Sequence, residues 1–161
     1  MKFSVNGWLG CIGSVGLSLS WVACASWDDQ ALSDTFVDKQ VTFETLAVMV
    51  GEDDCLWRLS DSYVAPEREC LTDDRTQAYR ALLDDVGAFL YRGGEEESCQ
   101  VYFSLVESGN VTGYDAMGVA YCPTPPENVM PDLAGALDKL AKGQYGYRQV
   151  AEGWYLYAVW G

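Results

Sequence analysis

Four cysteines, Cys55, Cys70, Cys99 and Cys122, follow an apolar, acid-free N-terminal stretch in a chain of 161 residues that holds no histidine. An even number of thiols behind an export signal reads as two disulfides, and cross-links limit the folds open to a chain. In a reducing compartment the same thiols would suggest metal or redox work instead. Zinc is disfavoured, because no CxxC pair and no imidazole is present. No metal and no cofactor is expected.

Residues 1–25 carry no Asp or Glu, one cation at Lys2, and an apolar run from Trp8 to Ala23. This is the layout of a signal peptide, too short and too weakly flanked for a stable membrane anchor. Two cleavages are open. Ala23 and Ala25 flank Cys24 and permit a cut before Ser26. Alternatively "WVAC" resembles the bacterial lipoprotein box, in which cleavage falls before Cys24 and its sulfur is acylated. Trp21 departs from that pattern, where an aliphatic residue is usual. Either way the expectation is an exported bacterial protein, periplasmic or held at the outer membrane through a lipid on Cys24.

All 24 acids and all but one of the 10 bases lie after residue 25, and the formal net charge is −14. Nucleic acid is disfavoured as a partner, since phosphate binding needs cationic patches. A basic protein is the electrostatic complement.

Residues 26–40 are polar with scattered apolar positions and read as a tether or a frayed helix. Residues 41–161 then read as a single α+β domain. Phe43, Leu46, Ala47 and Val50 fall on one helical face, with Thr42 as N-cap and Gly51 as stop. The stretch 52–70 reads as irregular or briefly helical. A second helix runs from Thr72 to Val86, with Tyr79, Leu82, Leu83 and Val86 on one face and Gly87 at its end. After Gly87 the period changes to two, giving strands at "AFLYR", "CQVYFSLV" and "YDAMGVAYC". A tight turn at Asn110 and Val111 would set Val101 opposite Ala120, Phe103 opposite Gly118 and Cys99 opposite Cys122, leaving Cys55 with Cys70. "PTPPENVMP" reads as an extended connector. A third helix is expected from Asp132, and "YGYRQVA" with "GWYLYAVW" as a closing hairpin. The order ααβββαββ predicts an antiparallel sheet of about five strands with helices on one face and two disulfides.

The alternation assigns Val101, Phe103, Leu105, Trp154, Leu156, Ala158 and Trp160 to the core. Gln100, Tyr102, Met117, Tyr121, Arg148, Tyr155 and Tyr157 fall on the opposite face, with Arg148 across from Tyr157. Tyrosine and arginine supply contact area with hydrogen bonds, so Tyr102, Tyr121, Arg148, Tyr155 and Tyr157 are candidate binding residues.

Catalytic signatures are missing. Without histidine the usual Ser or Cys triad cannot form, and no GxSxG elbow occurs. The acid clusters lack the ligand spacing of a calcium loop. "RGGEEE" is acidic where a phosphate cradle needs a lysine. The leading expectation is therefore a non-enzymatic module, inhibitor or immunity-like, for a basic protein. A peptidoglycan or carbohydrate module stacking sugars on the tyrosines is the second reading, and a carboxylate-pair hydrolase the third.

Overall fold

A computed structural model describes residues 29–66, 70–94, 97–110, 113–133 and 140–160. The leader 1–25 and Cys24 lie outside the described residues. In chain order the elements are α1 (Asp29–Glu52), β1 (Arg58–Leu59), β2 (Val64–Ala65), α2 (Asp73–Val86), β3 (Phe89–Arg92), β4 (Val101–Asn110), β5 (Gly113–Tyr121), β6 (Tyr145–Ala151) and β7 (Trp154–Trp160). The class is α+β, as expected, but the sheet has seven strands in the order β2-β1-β3-β4-β5-β7-β6, every neighbour antiparallel. The two additional strands are the short hairpin inside the segment expected to be irregular. The helix expected from Asp132 falls mainly on residues 134–139, outside the described residues; Leu133 and Leu140 beside them are buried.

The first helix begins at Asp29 rather than Thr42. Its backbone leaves helical geometry at Lys39 (φ −117°, ψ 15°), yet Phe36 and Phe43 keep the seven-residue spacing of one face; the turn between them carries Lys39 and Gln40 in place of apolar residues, which interrupts the stripe and hides the N-terminal half. That half is docked rather than a tether: Leu32 and Phe36 are fully buried. At the break Lys39 Nζ pairs with Asp85 Oδ1 at 2.7 Å, and the Thr42 hydroxyl donates to Asp85 Oδ2 at 3.0 Å. Thr42 is thus a link to α2, and not an N-cap. For α2 the capping is as the letters suggest. Thr72 Oγ1 accepts from Arg75 N, and Gly87 closes the helix in the left-handed region at φ 66°. The helices are clamped at one end by Arg75, whose guanidinium donates to Asp53 at 2.7 Å and to Glu52 at 2.8 Å, while the Tyr79 hydroxyl donates to Asp53 at 2.9 Å.

Both helices cover one face of the sheet. Leu32, Phe36, Phe43, Leu46, Tyr79 and Leu83 join Val101, Phe103, Val119, Trp154, Leu156 and Ala158 in one buried cluster. Trp154 stands at its centre, with ring centroids of Phe36, Phe43, Phe103 and Tyr121 at 5.4, 6.3, 6.4 and 5.1 Å.

The expected β4–β5 register is one residue off. Val101 faces Tyr121, Phe103 faces Val119, and the strands reverse between the paired Asn110 and Gly113. A bulge between Ser104 and Val106 shifts the pairing partway along. There β5 comes so close that a Cβ on Gly118 would fall on the carbonyl oxygen of Phe103. Gly118→Ala is expected to destabilise by about 1–3 kcal/mol or more, because backbone must move to admit one methyl. Urea unfolding reads this directly, and an unchanged midpoint would show that the strands part without cost.

The disulfides join Cys55 to Cys70 and Cys99 to Cys122. Despite the register, Gln100 N still reaches Tyr121 O at 2.9 Å, so the strands run on side by side to the second bridge. Closing loops of 15 and 23 residues, each bridge contributes about 2–4 kcal/mol. The outer edge of β6 meets the proline-rich connector in a parallel bridge, Val129 to Tyr147. Met130 N donates to Tyr147 O at 2.7 Å and Tyr147 N to Asn128 O at 3.1 Å.

Candidate functional site

The face of the sheet away from the helices carries tyrosine. On β6 and β7, Tyr147 pairs with Tyr157 and Gln149 with Tyr155; on β3 and β4, Tyr91 pairs with Tyr102. Small residues of β5 make room between them: Ala120 stands opposite both Tyr102 and Tyr155, and Gly118 opposite Tyr157. Tyr102 is the hub, stacked on Tyr91 at 5.0 Å, edge-on to Tyr157 at 5.2 Å and tilted to Tyr145 at 5.4 Å. Tyr102, Tyr147, Tyr155 and Tyr157 are buried, which makes this cluster a second core.

Of the candidate binding residues, Tyr102, Tyr155 and Tyr157 share this face but are interior. Tyr121 and Arg148 lie on the helix side, a correction to their expected placement. Tyr121 packs on Trp154. Arg148 pairs across β7 with Leu156, not Tyr157, because the β6–β7 register shifts between Gln149 and Ala151. Its guanidinium holds Asp29 Oδ1 at 3.0 Å and the Asp29 carbonyl at 3.1 Å, so it anchors the start of α1. Met117 belongs to the helix side as well.

Buried phenols need partners, and these lead to a carboxylate. The Tyr102 hydroxyl donates to Glu97 Oε2 at 2.9 Å and lies 3.0 Å from the Tyr147 hydroxyl. A phenol has one hydrogen. Tyr102 spends it on Glu97, so Tyr147 donates to Tyr102, and the chain runs Tyr147 to Tyr102 to Glu97. Burial, reinforced by the Tyr147 contact and the charge of Glu97, holds the Tyr102 phenol far above its ordinary range. Burial first, and Glu97 further, pushes Tyr147 up to about 12 and raises Tyr145.

Glu97 sits on the turn after β3, where Glu97 N donates to Gly94 O at 3.0 Å and Gly93 N to Gln100 O at 3.0 Å. Two open pockets meet at Glu97 and Ser98. One, of about 510 Å³, includes Asp54, Trp57, Arg92 and Gln100. The other, of about 420 Å³, lies between the turn and the connector and includes Tyr145, Tyr147, Glu127 and Asn128. Trp57 is 62 % exposed, an unusual position for the largest apolar side chain. Arg92 is drawn toward the end of α1, where it donates to the Asp53 carbonyl at 3.3 Å.

Among the described residues no cation pairs with Asp54, Glu97 or Glu127, whereas Lys39, Arg58, Arg75 and Arg148 are all engaged by other acids. Nor, among the described residues, do three His, Cys, Asp or Glu side chains gather to hold a metal ion. The alternation of tyrosines in "YGY", residues 145–147, was the available signal for Tyr145 and Tyr147. Nothing in the letters singled out Glu97, Glu127 or Trp57. Compared with known proteins, the chain matches no family model, no curated protein and no solved structure.

Proposed function

We propose that this protein is an exported, non-enzymatic module that docks a basic partner protein on the surface formed by Trp57, the Glu97 turn and the connector at Glu127. The observation that carries the reading is the pair of pockets meeting at Glu97: carboxylates without cationic partners among the described residues lie beside an exposed tryptophan. Such a surface supplies both terms that association needs. Unneutralised acid on a chain of net charge −14 steers a cationic protein inward, and the Trp57 ring offers a contact that becomes dry on docking. Sugar stacking on the sheet tyrosines has less support, since Tyr102, Tyr155 and Tyr157 are buried.

Export rests on the acid-free apolar leader and on the disulfides, which persist in oxidising compartments. Intact mass of native protein distinguishes a lipidated start at Cys24 from a start at Ser26.

Binding to basic envelope proteins is the test. Affinity is expected to fall as salt rises, and Trp57→Ala to weaken it by about thirtyfold, the loss typical of an interface anchor. Affinity indifferent to both salt and Trp57→Ala would refute the docking surface.

A further inference from the structure

Helix α1 carries a second apolar row, and this one faces solvent. Among the described residues six large apolar side chains are exposed, and three of them, Val37, Val41 and Val48, stand on this helix at 67, 75 and 63 % exposure. With Glu44 they are spaced 4, 3 and 4 residues apart. At about 100° per residue the four fall within about 60° of one another. The irregular turn at Lys39 does not scatter the row, since Phe36 and Phe43 hold one buried face across it.

The core does not account for these valines, because other residues make the buried side of α1. Valine is also a weaker helix former than alanine, lysine or glutamate, which an exposed position otherwise favours. Alternating steps of 4 and 3 are what a second helix packs against, since they keep one seam beneath the partner's side chains. An extended segment has period two and gains nothing from that spacing.

Charge identifies the kind of helix. Glu44 stands in the row between Val41 and Val48, Asp34 lies three residues before Val37, and Asp38 lies beside it. All three acids are exposed, and no cation pairs with them among the described residues. Asp34 and Glu44 accept from the neutral amides of Gln30 and Gln40. Lys39, the one base of α1, is turned to Asp85 on α2. A second copy would set these acids against themselves. An anionic bilayer would repel them, and helices that lie on membranes carry lysine and arginine instead.

We propose that the exposed face of α1 docks an amphipathic basic helix of a partner protein, its aliphatic seam on Val37, Val41 and Val48 and a lysine or arginine opposite Glu44. A charge within an otherwise apolar row fixes the register of such a pair. The site is separate from the Trp57 surface and does not depend on it.

Binding of a helical peptide to the full chain, followed by backbone amide shifts, tests the assignment. The peptide carries leucine at alternating steps of 4 and 3 with lysine beside each leucine. Its control has the same residues in an order that destroys the seam. The expected result is saturable binding of the first, with shifts centred on residues 34–48, and binding of the control weaker by about tenfold or more. Val41→Ser matches the parent in charge and in helix propensity, so Tm should hold while peptide affinity falls about tenfold. Glu44→Gln should cost about threefold and flatten the salt dependence. Equal binding of the control, shifts centred elsewhere, or indifference to Val41→Ser would each overturn the assignment. So would self-association, or adsorption to phosphatidylglycerol vesicles, that Val41→Ser abolishes, because the occupant would then be a second copy or a lipid surface. Trp57→Ala separates the two surfaces. It should leave peptide affinity unchanged, whereas a parallel loss would move the peptide to the Trp57 surface and overturn the α1 site alone. Failure of basic envelope proteins to dock at Trp57 leaves the peptide result standing.

Discussion

Trp154→Ala is expected to remove about 3–5 kcal/mol of stability, a large share of the 5–15 kcal/mol that holds a domain of this kind together. Two effects add. The indole loses the transfer free energy of a nearly complete burial, and its removal leaves a cavity that β7 cannot collapse to fill. That strand is fixed on both sides, by β5 and by β6. The ring is also the common contact of Phe36 and Phe43 from α1 with Phe103 from β4, so the loss separates helix from sheet. Urea unfolding should show a midpoint far below the parent's. Trp57→Ala, at an exposed position, should fall within about 0.5 kcal/mol of the parent. Equal losses at the two tryptophans would contradict this account of the core.

Alkali is the second strong lever. Tyr79, Tyr102 and Tyr147 are buried phenols, and with the half-buried Tyr145 all four have their pKa raised, burial being the largest cause for each. A phenol raised in the folded state keeps a proton that the unfolded chain gives up once pH passes about 10. The contribution is therefore complete below pH 10 and is lost as pH climbs through the folded values, that of Tyr147 being about 12. Each buried phenol removes up to about 1.4 kcal/mol per pH unit in that window. With several acting together, unfolding should be cooperative between pH 10 and 12, tyrosinate absorbance rising in step with the loss of sheet circular dichroism. Gradual tyrosinate formation with the sheet intact would argue against a buried cluster.

Local chemistry made parts of this fold legible in the letters. Thr72 and Gly87 bracket α2 because a hydroxyl and a left-handed glycine are what helix ends require. The disulfides follow from parity and from two strands leading back to the same end of a hairpin. What escaped depends on irregularities that a strict period cannot register. The polar turn at Lys39 and Gln40, where the helix also departs from regular geometry, interrupted the apolar stripe and disguised residues 29–38 as a tether. Bulges at Ser104/Val106 and Gln149/Ala151 moved Tyr121 and Arg148 to the wrong face, since a shift of one residue reverses which side a strand side chain occupies. The candidate site was least visible. Glu97 is the last of three consecutive glutamates, and only the hydroxyl of Tyr102, brought from the neighbouring strand, gives it a distinct role.

The parallel contact of Val129 with Tyr147 has a consequence for the crowded life of a sheet protein. An unpaired outer strand is a template on which a second molecule can add, and repeated addition leads to fibrils. One margin of this sheet is the two-residue β2, too short to recruit a neighbour, and the other is met at Tyr147 by residues 128–130 of the chain's own connector, flanked by Pro126 and Pro131, which lack the amide hydrogens that further growth demands. With one margin only two residues long and the other met by the connector, concentrated protein should remain as discrete particles instead of polymerising.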